Sequence, residues 1–148
     1  MLALARRLLV LAALVLPTGV LPTGASAEEA LAPADASAIQ AVIQDQMAAF
    51  KIDDWAGAFA FASPVVQQKF QSPEVFSQMV TGAYQPVYRP QNGEFRELKP
   101  TEFGPTQEVF VVGPDGLGYI AYYTMERQAD GTWRISGCYL LRAKDESA

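Results

Sequence analysis

Histidine is absent from the 148-residue chain, and cysteine occurs once. Each absence removes chemistry. Without histidine there is no side chain whose ordinary pKa suits general-base work near neutrality, and the commonest metal ligand is missing. Ser-His and Cys-His nucleophile pairs are excluded with it. A single cysteine, Cys138, cannot form an internal disulfide. It reads as a small buried hydrophobe, with an intermolecular disulfide or a reactive thiol as the other outcomes. Positive charge is also scarce: 11 Lys and Arg stand against 16 Asp and Glu, a net charge of −5. Nucleic acid needs a concentrated basic face and is therefore not an expected partner. Anionic membranes gain little from such a chain. No closely spaced carboxylates surround a loop glycine, so neither a metal nor another cofactor is expected.

Long apolar runs are lacking too. LLVLAALVL, Leu8 to Leu16, has nine residues, too few to span a bilayer, and Pro17 and Pro22 interrupt any extension. With Arg6 and Arg7 before it and Ala25-Ser26-Ala27 after it, this run reads as a signal peptide over residues 1–27, cleaved before Glu28. The twin arginine leaves the export route open. No cysteine follows the run to accept a lipid. The doubled LPTG in LPTGVLPTG lacks a wall-anchoring spacing and reads as a turn-prone segment. Cleavage leaves nine basic and sixteen acidic residues, a charge of −7. The remaining 121 residues suffice for one core, burying roughly two-thirds of the unfolded surface. No stable membrane insertion is expected after cleavage.

EEALAPAD and its neighbours, residues 28–36, are small, acidic and proline-bearing, and read as a flexible lead. A single domain follows over 37–142, with 143–148 as a disordered tail. Within SAIQAVIQDQMAAF, Ile39, Val42, Ile43, Gln46, Ala49 and Phe50 share one helical face, and Ser37 with Gln40 fits a capping box. DDWAGAFAFASP sets two carboxylates beside aromatics. Asp53 and Asp54 fit a helix junction better than an acid/base pair, one of them capping a second helix over about 55–62. On that helix Trp55 and Phe59 are expected to stack at i, i+4. SPVVQQKF and SPEVFSQMVTGAY open two more helices, with Ser63 and Ser72 as caps and proline in the first turn.

After Tyr84 the pattern changes. PVYRP, EFRELKPTEF, QEVFVVG, YIAYYTMER and TWRISGCYLLR alternate or run apolar, rich in β-branched and aromatic residues. GPDG (113–116) and QADG (128–131) separate the last three as hairpin turns. The fold class is therefore α+β, N-terminal helices packed in a curved antiparallel sheet. Strict alternation puts Tyr119, Ala121, Tyr123 and Met125 on an apolar face. It puts Trp133, Ile135, Gly137, Tyr139 and Leu141 together in the last strand, opposite Arg134, Ser136, Cys138 and Arg142.

This order of elements is similar to the cone-shaped fold of the nuclear-transport-factor-two-like superfamily. The phrases IQAVIQDQMAAFKIDDWAGAFAFASP, SPEVFSQMVTGAY with PVYRP, and GTWRISGCYLL resemble an exported bacterial family, domain of unknown function 4864, over about Ala38 to Leu141. The resemblance implies that fold and a periplasmic setting, and it implies no activity.

A pocket is better supported than a catalyst. Cones of this type leave a cavity between helix and sheet, and Tyr84, Tyr88, Tyr122 and Tyr123 are candidates to line it, their hydroxyls orienting a ligand. Arg89 is a candidate for an anionic group by bidentate hydrogen bonding, and Gln46 for an inward amide. The plainer alternatives are core tyrosines, a surface ion-pair arginine and a glutamine bonded to backbone. The expectation is a non-catalytic module that binds a small apolar or anionic ligand, or a protein. The alternative is a small lyase or isomerase using a buried carboxylate. Glu94, Glu97, Glu102, Glu108 and Glu126 lie among basic residues, as on a solvated face. A homodimer through the outer sheet face is a further expectation.

Overall fold

The computed structural model describes residues 31–144. The signal segment 1–27, the first residues of the expected lead and the last four of the tail lie outside the described residues. Five helices precede four strands: α1 (Pro33–Lys51), α2 (Trp55–Ala60), α3 (Pro64–Phe70), α4 (Pro73–Ala83), α5 (Gln85–Tyr88), β1 (Asn92–Lys99), β2 (Thr106–Val112), β3 (Gly118–Arg127) and β4 (Trp133–Arg142). The strands form one antiparallel sheet in the order β1-β2-β3-β4. The architecture is α+β, helices first and sheet second.

The first helix starts earlier than its capping box suggested. Pro33 occupies its first turn, where a missing N–H costs nothing. Ser37 is already helical and its hydroxyl donates back to the Pro33 carbonyl at 3.2 Å. Residues 33–36, expected in the flexible lead, are ordered for a specific reason. Asp35 pairs with Arg127 and accepts from Trp133 Nε1 at 3.3 Å, pinning the first turn of α1 onto the β3–β4 end of the sheet. The inward stripe Ile39, Ile43, Gln46, Ala49 and Phe50 is buried as its spacing predicts.

Asp54 caps α2, accepting from Gly57 N at 2.9 Å. Ser72 caps α4 through Val75 N at 3.2 Å. Ser63 does not cap α3. Its backbone N–H donates to Ile135 O at 2.8 Å while Ile135 N donates to Phe61 O at 2.9 Å, so residues 61–63 run as a short parallel bridge along β4. The Ser63 hydroxyl is buried and has no hydrogen-bond partner among the described residues. The PVYRP stretch is the one-turn helix α5, not a strand, and Tyr84 O accepts the N–H groups of Val87 and Tyr88.

Strand alternation fails at one point in β4. Thr124 faces Gly137 but Met125 faces Ile135, leaving Ser136 as an extra residue. Such a bulge reverses which side chains point inward beyond it. Trp133 and Ile135 are in the core, and past the bulge Cys138 and Leu140 pack against it, while Tyr139 and Leu141 turn out to solvent. Glycine is required here because a Cβ on residue 137 would lie 2.7 Å from Thr124 Oγ1. A second irregularity in β1, between Phe95 and Leu98, is plugged by the buried amide of Gln107, which donates to Arg96 O and Glu108 O, each at 2.9 Å.

Apolar burial falls into two clusters. One joins Ile39, Ile43 and Val87 to Val109, Val111, Ala121, Tyr123, Met125, Trp133 and Ile135 of the sheet. The other gathers Ala49, Phe50, Ala58, Phe76 and Val80 among the helices, with Trp55, Phe59 and Phe70 around them. The rings of Trp55 and Phe59 do not stack on each other. Trp55 stacks on Tyr88 at 5.4 Å and Phe59 meets Phe76 at 5.3 Å. Tyr84 packs against both clusters. The fold keeps open space along the seam between them.

Candidate functional site

A cavity of about 530 Å³ opens along that seam, within the range of small-molecule sites. The helices supply Gln46 and Phe50 from α1, Val65, Val66, Lys69 and Phe70 from α3, and Phe76, Met79 and Val80 from α4. The sheet supplies Tyr123 from β3 and the bulged run from Ile135 to Cys138. The reason for the space is local. The 61–63 bridge holds the start of α3 against β4, yet no residue of α3 is fully buried and Val65 is largely exposed. The helix therefore covers the seam without filling it.

Few polar groups reach this wall. Gln46 is buried on α1 and its Nε2 donates to Ala58 O at 3.2 Å, tying α1 to α2. The Tyr84 hydroxyl donates to Cys138 O at 2.9 Å, and burial, with Cys138 beside it, raises its pKa. Tyr123 is only 1% exposed, and its hydroxyl makes no hydrogen bond of normal geometry among the described residues. Burial pushes that hydroxyl well above the usual tyrosine range, with the Cys138 thiol and Tyr84 adding to the rise. Tyr123 and Cys138 are cross-strand partners in register. Burial pushes the Cys138 thiol up to about 12, so it stays protonated near neutrality and is a poor nucleophile. The deep part of the wall offers neutral donors and apolar surface, with Lys69 at the rim.

The structure thus brings together Gln46, Tyr84 and Tyr123, and leaves Tyr88, Arg89 and Tyr122 outside the cavity. Arg89 Nη2 donates to Asp53 Oδ1 at 2.9 Å, and the Tyr88 hydroxyl donates to the same oxygen at 2.6 Å. The guanidinium lies 3.9 Å from the Tyr88 ring centroid and also donates to Phe50 O. Asp53 sits at φ +55° to reach them. The hydrogen bond from Tyr88, and then that from Arg89, hold its carboxyl below the usual aspartate value. This cluster locks the α1–α2 junction to the end of α5, so Arg89 is already engaged. Tyr122 faces the other side of the sheet, where it stacks on Tyr139 with centroids 4.6 Å apart and planes 8° from parallel.

The α3 and α4 wall residues were not among those the sequence singled out. The Ser-Pro punctuation marks both helices, but nothing in their composition says that α3 packs loosely. Ser136 to Cys138 escaped because the bulge that turns Cys138 inward has no clear signature beyond Gly137.

Among the described residues, no carboxylate is buried, none lines the cavity, and no cluster of three or more metal-capable Cys, Asp or Glu side chains occurs. No helix there is long and apolar enough to cross a membrane. An α+β domain with helices preceding a four-stranded antiparallel sheet and a largely apolar seam cavity is the class of protein this is. The family described as a domain of unknown function (DUF4864) matches residues 32–148, and the chain belongs to it. No match was found among curated proteins or among solved structures.

Proposed function

We propose that the chain is an exported, non-catalytic module that holds a small, mainly apolar ligand in the seam cavity. The observation that carries this reading is the cavity itself, about 530 Å³ walled mainly by valine, phenylalanine and methionine side chains, with a few neutral polar groups and Lys69 at its rim. Tyr123, 1% exposed and set beside the Cys138 thiol on the same wall, supports it as a buried neutral hydroxyl on the cavity lining. The lyase or isomerase alternative requires a carboxylate inside the domain. Every Asp and Glu among the described residues is exposed or half-buried, which favours binding over that alternative.

Export and a periplasmic setting rest on Arg6, Arg7, the Leu8–Leu16 run and Ala25-Ser26-Ala27. The order of helices and sheet supports reading the domain as a cone of the nuclear-transport-factor-two-like kind. Native mass spectrometry of protein purified without detergent tests the ligand reading. A bound small molecule should appear on the wild type and be lost when Val66→Trp or Met79→Trp fills the cavity. Retention of the same adduct on folded versions of both variants would place the ligand elsewhere.

A second reading is self-association through the outer sheet face. The Tyr122–Tyr139 stack favours it, with Tyr139 49% and Leu141 53% exposed beside it. Light scattering that finds a monomer at high concentration would remove it.

A further inference from the structure

We infer that the ligand is a singly charged anionic amphiphile, its chain in the seam cavity and its head group at Lys69. This rests on the cavity-binding reading above and adds the ligand's chemical class to it. Among the described residues, Lys69 is the one charged side chain in the cavity wall. It belongs to the last turn of α3 and is exposed at the rim, and its Nζ lies 5.5 Å from the centroid of Phe70, another wall residue. No carboxylate lies within ion-pair distance of it among the described residues, although acidic residues outnumber basic ones in the chain as a whole.

The alternative role for Lys69 is to complement the negative end of the α3 dipole. That role explains a cation on the helix. It does not explain why the cavity wall holds a cation and no anion in an acidic protein. Nothing else in the wall would repel a negative head group, since the deep polar groups are an amide, two phenols, a hydroxyl and a protonated thiol. The apolar remainder, including Val66 and Met79, suits an alkyl or similar chain. A lysine is a point-charge donor on a flexible stem, so it places no demand for a planar head group. The shared chemistry is therefore an apolar chain ending in a carboxylate, or in another singly charged oxyanion, at the solvent edge.

Decanoate and decanol, which share a chain and differ in charge, are the probes. Both should bind the protein saturably at pH 7, decanoate more tightly and with an affinity that falls as salt rises. Lys69→Gln should weaken decanoate about three- to fivefold, as expected for an exposed ion pair, and leave decanol unchanged. Lys69→Arg should retain decanoate binding. Val66→Trp and Met79→Trp, each confirmed as folded by its thermal transition, should abolish binding of both probes. If Lys69→Gln alters decanoate and decanol equally, or neither, the head-group assignment is overturned while cavity binding stands. If neither probe binds, or both bind undiminished to the two tryptophan variants, the cavity reading itself is overturned.

Discussion

Arg89 Nη2 and Asp53 Oδ1, separated by 36 residues in sequence, form a 2.9 Å ion pair that closes the α1–α2 junction against the end of α5. The pair gives Asp53 the junction role its place in the sequence predicts, and it engages Arg89, a candidate for an anionic group, in that junction. Asp53 is held ionised by two donors and is not half of an acid/base dyad, and Arg89 is already occupied. Asp53→Asn should lower the thermal midpoint near neutral pH and leave ligand binding unchanged. The folded-state pKa of Asp53 is depressed, so its contribution is present above the unfolded value, about 4. It is lost as pH falls through the lower folded value. The gap between wild type and variant should therefore close below about pH 4 in a melting series across pH. A gap that persists unchanged in acid would mean that packing, rather than the charge, does the work.

Asp54 acts separately. Its carboxylate caps α2 through Gly57 N, so Asp54→Ala should destabilise by about 1 kcal/mol, as for a typical N-cap. Asp54→Ser should recover most of that loss. Urea unfolding of the three proteins measures it directly.

The bulge in β4 is as consequential as any cap. A methyl group at residue 137 would meet Thr124 Oγ1 at 2.7 Å. Gly137→Ala should then cost about 1–3 kcal/mol through overpacking. Adding Thr124→Ala removes the clashing oxygen and should return part of the loss, a coupling that a double-mutant cycle reads. Additive losses would place the strain in the backbone instead.

Cys138 should be slow to react. With its thiol pushed up to about 12 by burial, the native protein at pH 8 should take up iodoacetamide far more slowly than the urea-unfolded chain. Its raised folded pKa favours the protonated form. The resulting stability is present below the unfolded thiol value, near 8.5, and declines as pH rises through the folded one. Intact-mass spectrometry over time follows the modification. Rapid native labelling would show that the β4 edge opens readily.

Much of the fold is legible in the residues. The α1 stripe from Ile39 to Phe50, the Ser72-Pro73 start of α4 and the glycine-bearing turns at Gly116 and Gly131 are local signals, set by periodicity, capping and positive φ. What stays hidden depends on partners distant in sequence. Residues 33–36 are helical because Asp35 finds Arg127 and Trp133, more than ninety positions away. Ser63 joins a backbone bridge to Ile135, more than seventy positions away, and its hydroxyl makes no cap bond. In the candidate site, Gln46 betrays itself as a polar residue on an apolar stripe, and Tyr84 and Tyr123 as tyrosines beside the core. Tyr88 and Tyr122 carry the same composition signal but face elsewhere. The α3 wall, with Lys69, follows from how loosely one helix sits, which no local pattern encodes.

Ligand binding requires that an apolar molecule enter the seam between the two clusters. Titration of the ¹⁵N-labelled protein with decanol, followed by amide chemical shifts, tests this most directly. Saturable shifts should concentrate in α3, α4 and residues 135–138 of β4, and should be lost in Val66→Trp. Shifts centred instead on Tyr122 and Tyr139 of the outer sheet face, or none at all, would overturn binding in the seam.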